Sequence, residues 1–208
     1  MKWQSSSKLI LRWGGINGAF LLFAFLIIGL LCVIFPQVML TVFGKWASLL
    51  SSFGVKTASE LGSSNQMFAH ILQRNIIAGF VFFIIGFLLQ APVAMLFCGA
   101  FYAFIVFLAP ITMGQAFGFF DWILIGVEIL ALVTSASTTS GFAGELYQVK
   151  PTVRDWWRYS KKTWKSISMK APNDWREILP SWRTSILTGI LATIGMILFV
   201  AWFEVYGY

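Results

Sequence analysis

Charge is what this chain has least of. Asp, Glu, Lys and Arg make up 11% of its 208 residues, less than half of the roughly 25% usual in a soluble domain. Its longest polar stretch, 147–182, is too short to bury a core of its own, which excludes a separate soluble domain. There is one histidine, His70, and there are two cysteines, Cys32 and Cys98. A single histidine excludes a bis-histidine haem within the chain and argues against a self-contained zinc site. Each cysteine lies inside an apolar run and reads as a small buried hydrophobe rather than half of a disulfide or metal pair. No Walker motif, paired catalytic carboxylates or Ser-His-Asp set is present. The expectation is therefore no catalytic residue, no metal, no cofactor and no enzyme activity.

What is abundant is apolar: 58% of the residues are hydrophobic. Crossing a bilayer takes roughly 20 helical residues at about 1.5 Å each. Five runs are suited to it, at about 16–35, 67–89, 93–109, 122–144 and 184–203. The first run exceeds the roughly 7–15 residues of a signal-peptide core and no A-x-A site follows it, so it reads as a retained span. The predicted fold class is all-α: a polytopic transmembrane bundle of five spans with amphipathic interfacial helices, in a single membrane domain over 1–208.

The net charge of +7 is explained by membrane topology rather than by nucleic acid. Lys2, Lys8, Arg12, Lys150, Arg154, Arg158, Lys161, Lys162, Lys165, Lys170, Arg176 and Arg183 fall on one side of a five-span arrangement. Only Lys45 and Lys56 fall on the other, with Arg74 inside the second span. The positive-inside rule then puts the N-terminus and segment 150–183 in the cytoplasm.

Three segments between or before the spans look amphipathic. Residues 1–13 mix Lys8 and Arg12 with Trp3 and Trp13, which suggests a short surface helix loosened from the first span by Gly14, Gly15 and Gly18. Residues 37–53 place Met39, Val42, Phe43 and Trp46 at helical spacing, as an interfacial helix or a re-entrant hairpin. In 150–183, Val153, Trp157, Ser160, Trp164 and Ile167 share one face, with Arg154, Arg158, Lys161 and Lys165 on the adjoining one. Such a helix suits anionic headgroups. It could also dock a cytoplasmic partner through Trp156, Trp157 and Trp164. Pro172 and Pro180 are expected to turn the chain back to the membrane.

The fourth span is the focal stretch. Glu128 lies about two turns into it, and helical spacing puts Ala131, Ser135 and Thr139 on the same face. Small residues let a second helix approach closely in lipid, and Gly79 and Gly86 of the second span are the expected contact points. An unpaired carboxylate in hydrocarbon costs about 3 kcal/mol or more, so Glu128 should meet protein or a wet cavity. Arg74, His70 and Asn75 of the second span are its candidate partners. The reading favoured for Glu128 is structural, with a proton- or cation-binding role as the alternative. The hydroxyl band 134–140 reads as helix packing rather than a pore lining, or as a local break in the helix.

Three stretches carry a family resemblance: AFLLFAFLIIGLL, NIIAGFVFFIIGFLLQAPVAMLFCGAFYAFI and ILIGVEILALVTSASTTSGFAG. Together they resemble the stage II sporulation protein M family, whose hallmark is a His-Gly-x-x-Glu-x-x-Ala helix with a small-residue run after it. With the acid on Glu128 and the small residue on Ala131, the His-Gly pair falls on Leu124-Ile125. The family's Asn-Gly pair in the third span reads Cys98-Gly99. The resemblance implies a non-catalytic subunit that assembles with envelope proteins or works beside an ABC-type ATPase.

The sequence therefore predicts a multi-pass protein of the cytoplasmic membrane that assembles with other subunits. An ABC-type permease half, paired with a second copy and a separate ATPase, is the alternative, followed by a carrier centred on Glu128. Its other expected partners are lipid headgroups, and nucleic acid is not expected. Topology is directly testable. A Lys161→Cys variant lacking Cys32 and Cys98 should react with a membrane-impermeant maleimide only after cells are permeabilised. Labelling in intact cells would invert the assigned orientation.

Overall fold

A computed structural model describes residues 3–52, 64–113, 117–163 and 173–206. Among these the chain is all helical, with α1 Trp3–Ile34, α2 Pro36–Ser52, α3 Ser64–Phe87, α4 Ala91–Met113, α5 Phe119–Leu146, α6 Val153–Thr163 and α7 Trp175–Tyr206. Five of them (α1, α3, α4, α5 and α7) are long and apolar enough to cross a bilayer, which makes this a multi-pass membrane protein. Helices suit that role because each satisfies its own backbone polar groups where no water can.

Several boundaries differ from those expected. Gly14, Gly15 and Gly18 do not separate a surface helix from the first span, and α1 is continuous. Glycine costs helix stability in water, but inside a bundle any break would strand backbone donors. Trp13, expected at the surface, is 0% exposed. Pro180 does not stop the chain either: α7 begins at Trp175 and runs through it. There the missing N–H falls in the second turn, close to the end where such donors are unbonded anyway. Pro110 similarly sits inside the last turn of α4. The helix α2 is unbroken over its described length and packs Met39 and Phe43 against Phe104 and Leu108 of α4, as an interfacial helix would.

The hub is α5, which touches α1, α3 and α7, whereas α4 lies mainly on α1 and meets α3 and α5 at few points. Small residues on α5 make these approaches close. The hydroxyls of Ser135 and Ser140 donate to the carbonyls of Gly79 (2.8 Å) and Gly86 (3.2 Å) across the α3 interface. Thr138 and Thr139 instead donate back along their own helix, to Thr134 and Ser135. The band is thus a packing surface and α5 is unbroken through it. A Cβ at Gly86 would collide with the Thr139 hydroxyl and the Ala136 carbonyl, and one at Gly189 of α7 with Thr138. Toward the α6 end, Asn17 of α1 donates to the Ser137 hydroxyl at 3.0 Å.

The amphipathic helix α6 is clamped under the α3–α4 turn. Leu89 holds that turn in a left-handed conformation (φ 55°) and is 0% exposed. Its carbonyl accepts the Trp156 indole N–H at 2.8 Å, while Gln90 reaches the Ser160 hydroxyl. The face buried on the bundle is therefore Trp156, Tyr159 and Ser160, while Val153 and Trp157 stay exposed. This corrects the expected grouping, which put Ser160 with Val153 and Trp157. At the far side of the same end, Trp182 of α7 donates to the Glu145 carboxylate at 2.7 Å.

Close packing at Gly86 sets the first structural test. Gly86→Val should destabilise the protein by about 1–3 kcal/mol through overpacking, read as a lower melting temperature in detergent. Gly126→Ala, with open space around its Cβ position, should melt like the wild type.

Candidate functional site

Because α4 stands away from α3 and α5, the three helices and the end of α7 enclose a cavity of about 760 Å³. It falls within the roughly 300–1,000 Å³ typical of small-molecule sites. Arg74, Asn75, Ala78, Phe82 and Ile85 contribute from α3. Phe97, Cys98, Phe101, Tyr102 and Ile105 contribute from α4, and Asp121, Leu124, Ile125, Glu128 and Leu132 from α5. Glu204 closes it from α7. These residues recur every three or four positions because one face of each helix is turned inward.

The wall is graded along the membrane normal. Asp121 and Glu204 sit near helix ends at the α2 side, two residues from the start of α5 and from the end of α7. Glu128 follows Asp121 by two turns, about 10 Å deeper. Arg74 is about 15 Å into α3 and Glu128 about 14 Å into α5, each well inside a helix long and apolar enough to span a bilayer. Beyond them the lining is apolar, through Phe82, Ile85, Ala94 and Leu132. Phe97 lines the cavity yet is 58% exposed, so it stands at the rim.

The polar groups are coupled. The Tyr102 hydroxyl hydrogen-bonds with the Glu128 carboxyl, and Arg74, Glu204 and Cys98 lie within its electrostatic reach. Arg74 makes no direct ion pair with Glu128; its Nε donates to Asn75 Oδ1 at 3.4 Å. Among the described residues the ion pair within 4 Å is Arg158–Asp155 at the surface of α6. Asn75 is 4% exposed, and its Nδ2 has no partner among the described residues. Leaving such a donor unpaired costs about 1–3 kcal/mol. Asp121 carries a second duty, since its carboxylate accepts the Gly118 N–H at 2.7 Å and caps α5.

Of the residues singled out from the sequence, Glu128, Arg74 and Asn75 come together here. His70 does not line the cavity, and its Nε2 is buried without a partner nearer the start of α3. Ala131, Ser135 and Thr139 turn toward the helix interfaces with Gly79 and Gly86. In α6, Trp156 is buried and committed to Leu89, so it is not available for docking. Trp157 is 52% exposed with Lys161 over its ring at 5.2 Å. Arg154 and Arg158 are exposed beside them. Trp164 and Lys165 lie outside the described residues.

Sequence reasoning missed Tyr102, Asp121 and Glu204. Asp121 and Glu128 are seven residues apart on one helix, a same-face spacing that was available. Tyr102, one turn after Cys98, was hidden in a uniformly apolar run. Glu204 was hidden because its neighbours Trp202, Phe203 and Tyr206 read as an interfacial belt. Among the described residues no group of three or more His, Cys, Asp or Glu side chains could hold a metal.

No family model, curated protein or solved structure matches this chain.

The orphaned amide yields a prediction. With no ligand added, Asn75→Leu should leave stability unchanged or raise it by about 1 kcal/mol, since it removes an unpaired buried donor. A large drop in melting temperature would instead make Asn75 a structural residue.

Proposed function

We propose that this chain is a non-catalytic carrier of the cytoplasmic membrane that holds a small amphipathic molecule in the cavity beside Glu128. The observation that carries this reading is the cavity itself: Glu128 and Arg74, each well inside a spanning helix, face a space of ligand size and make no ion pair with each other. Intramembrane ionisable groups that face a cavity mark substrate or ion pathways. Glu128 has the Tyr102 hydroxyl as its hydrogen-bond partner and no cation within ion-pair distance among the described residues, so its charge is available to a guest. In the membrane, α6 and the N-terminus face the cytoplasm, following the basic residues, and Asp121 and Glu204 lie toward the other side.

A second reading has its own support. The helix α6 exposes Trp157, Arg158 and Lys161 while its other face grips the α3–α4 turn. A cytoplasmic ATPase docked there would touch the wall of the cavity, as expected of an ABC-type permease half. The resemblance to the stage II sporulation protein M family, which implies partner subunits, favours this second reading.

Flux separates these readings. Proteoliposomes holding the purified chain alone should carry out counterflow of a small amphipathic dye, either cationic ethidium or anionic anilinonaphthalene sulfonate, and Glu128→Gln should slow it. No flux of either dye through folded protein would overturn the carrier reading. An ATPase retained in mild detergent would then favour the permease half.

A further inference from the structure

The charge of the cavity wall names the class of molecule it suits. Three of the chain's eight acidic residues, Asp121, Glu128 and Glu204, face this one space, with Arg74 as the single cation among the lining residues. That concentration runs against the composition, because the chain as a whole carries seven more positive than negative charges. The acids are also ordered: Asp121 and Glu204 stand near helix ends, and Glu128 lies two turns further in. Phe82 and Phe101 line the wall with Phe97 at its rim, and aromatic faces attract cations as well as apolar surface.

A cluster of acids alone could be a solvated feature of the helix ends. Glu128 argues otherwise: it lies nine residues into α5, well inside a helix able to cross a membrane, and its partner among the described residues is the Tyr102 hydroxyl.

Resting on the carrier reading above, we infer that the cavity takes an amphipathic organic cation, whose charge sits against Glu128 and whose apolar body lies among the phenylalanines of α3 and α4. The groups facing the Glu128 carboxylate are Arg74 from α3, Cys98 and Tyr102 from α4, Asp121 on its own helix and Glu204 from α7. Of these only Arg74 opposes a second positive charge.

Tetraphenylphosphonium and tetraphenylborate test this, because they share shape and differ in the sign of charge. Their binding is measured by equilibrium dialysis against the full chain in nanodiscs, with empty nanodiscs subtracted. The phosphonium should bind more tightly than the borate. Glu128→Gln should weaken the phosphonium about ten- to a hundredfold, the effect of losing a charged partner. It should not weaken the borate, a difference in direction that misfolding cannot produce. Glu204→Gln should weaken the phosphonium less, from its place near the end of α7. Preference for the borate, or phosphonium binding indifferent to Glu128→Gln, would overturn the cation assignment while leaving a binding cavity in place. Binding of neither ion, together with no dye flux, would remove the carrier reading as well.

Discussion

Everything in this bundle depends on how closely α5 can approach its neighbours. Lipid tails offer helices no hydrophobic reason to associate, so contact must come from packing and from hydrogen bonds across the seam. Serines on α5 reach glycine carbonyls on α3, a threonine meets Gly189 on α7, and a third serine accepts from Asn17 on α1. Each is a small side chain facing a backbone that has none. The result is a tight core of α5 with α3 and α7, fastened to α1 toward the α6 end.

The helix left out of that arrangement is α4. It carries one close approach of its own, Gly99 against the Leu21 carbonyl of α1, and otherwise presents bulky residues toward α3 and α5. Phe97, Phe101 and Ile105 cannot enter the small-residue grooves, so space remains between the helices. Charged residues that would be intolerable against acyl chains are accommodated there. The cavity and the polar side chains are therefore one consequence of side-chain size along two helices.

Much of this was legible in the sequence. The five spans, the all-helical class and the closeness of the glycine and serine positions follow from length, hydropathy and the 3.6-residue period. Helix ends were less legible, because Gly14, Gly15 and Pro180 carry signals calibrated in water, where a broken helix can bond to solvent. The cavity was half visible. Glu128, Arg74 and Asn75 stood out as polar residues in apolar runs, but which helix faced them depends on tertiary packing, and so Tyr102 and Glu204 did not. The clamp between Trp156 and Leu89 was invisible, since it rests on a left-handed leucine that no local pattern announces.

That clamp has a mechanical meaning. At the α6 end, α1 is tied to α5 through Asn17, and the α3–α4 turn is pinned by Trp156. Toward the opposite end, the partners α4 finds are α1 and α2, with Phe43 resting on Phe104 and Met39 in the same cluster as Leu108. The molecule thus has two groups of helices, α1, α2 and α4 on one hand and α3, α5 and α7 on the other, buckled together at the α6 end and stitched once more at Tyr102 and Glu128. Every serine-to-glycine bond lies within the second group, so the boundary that holds the cavity is not the one that holds the core.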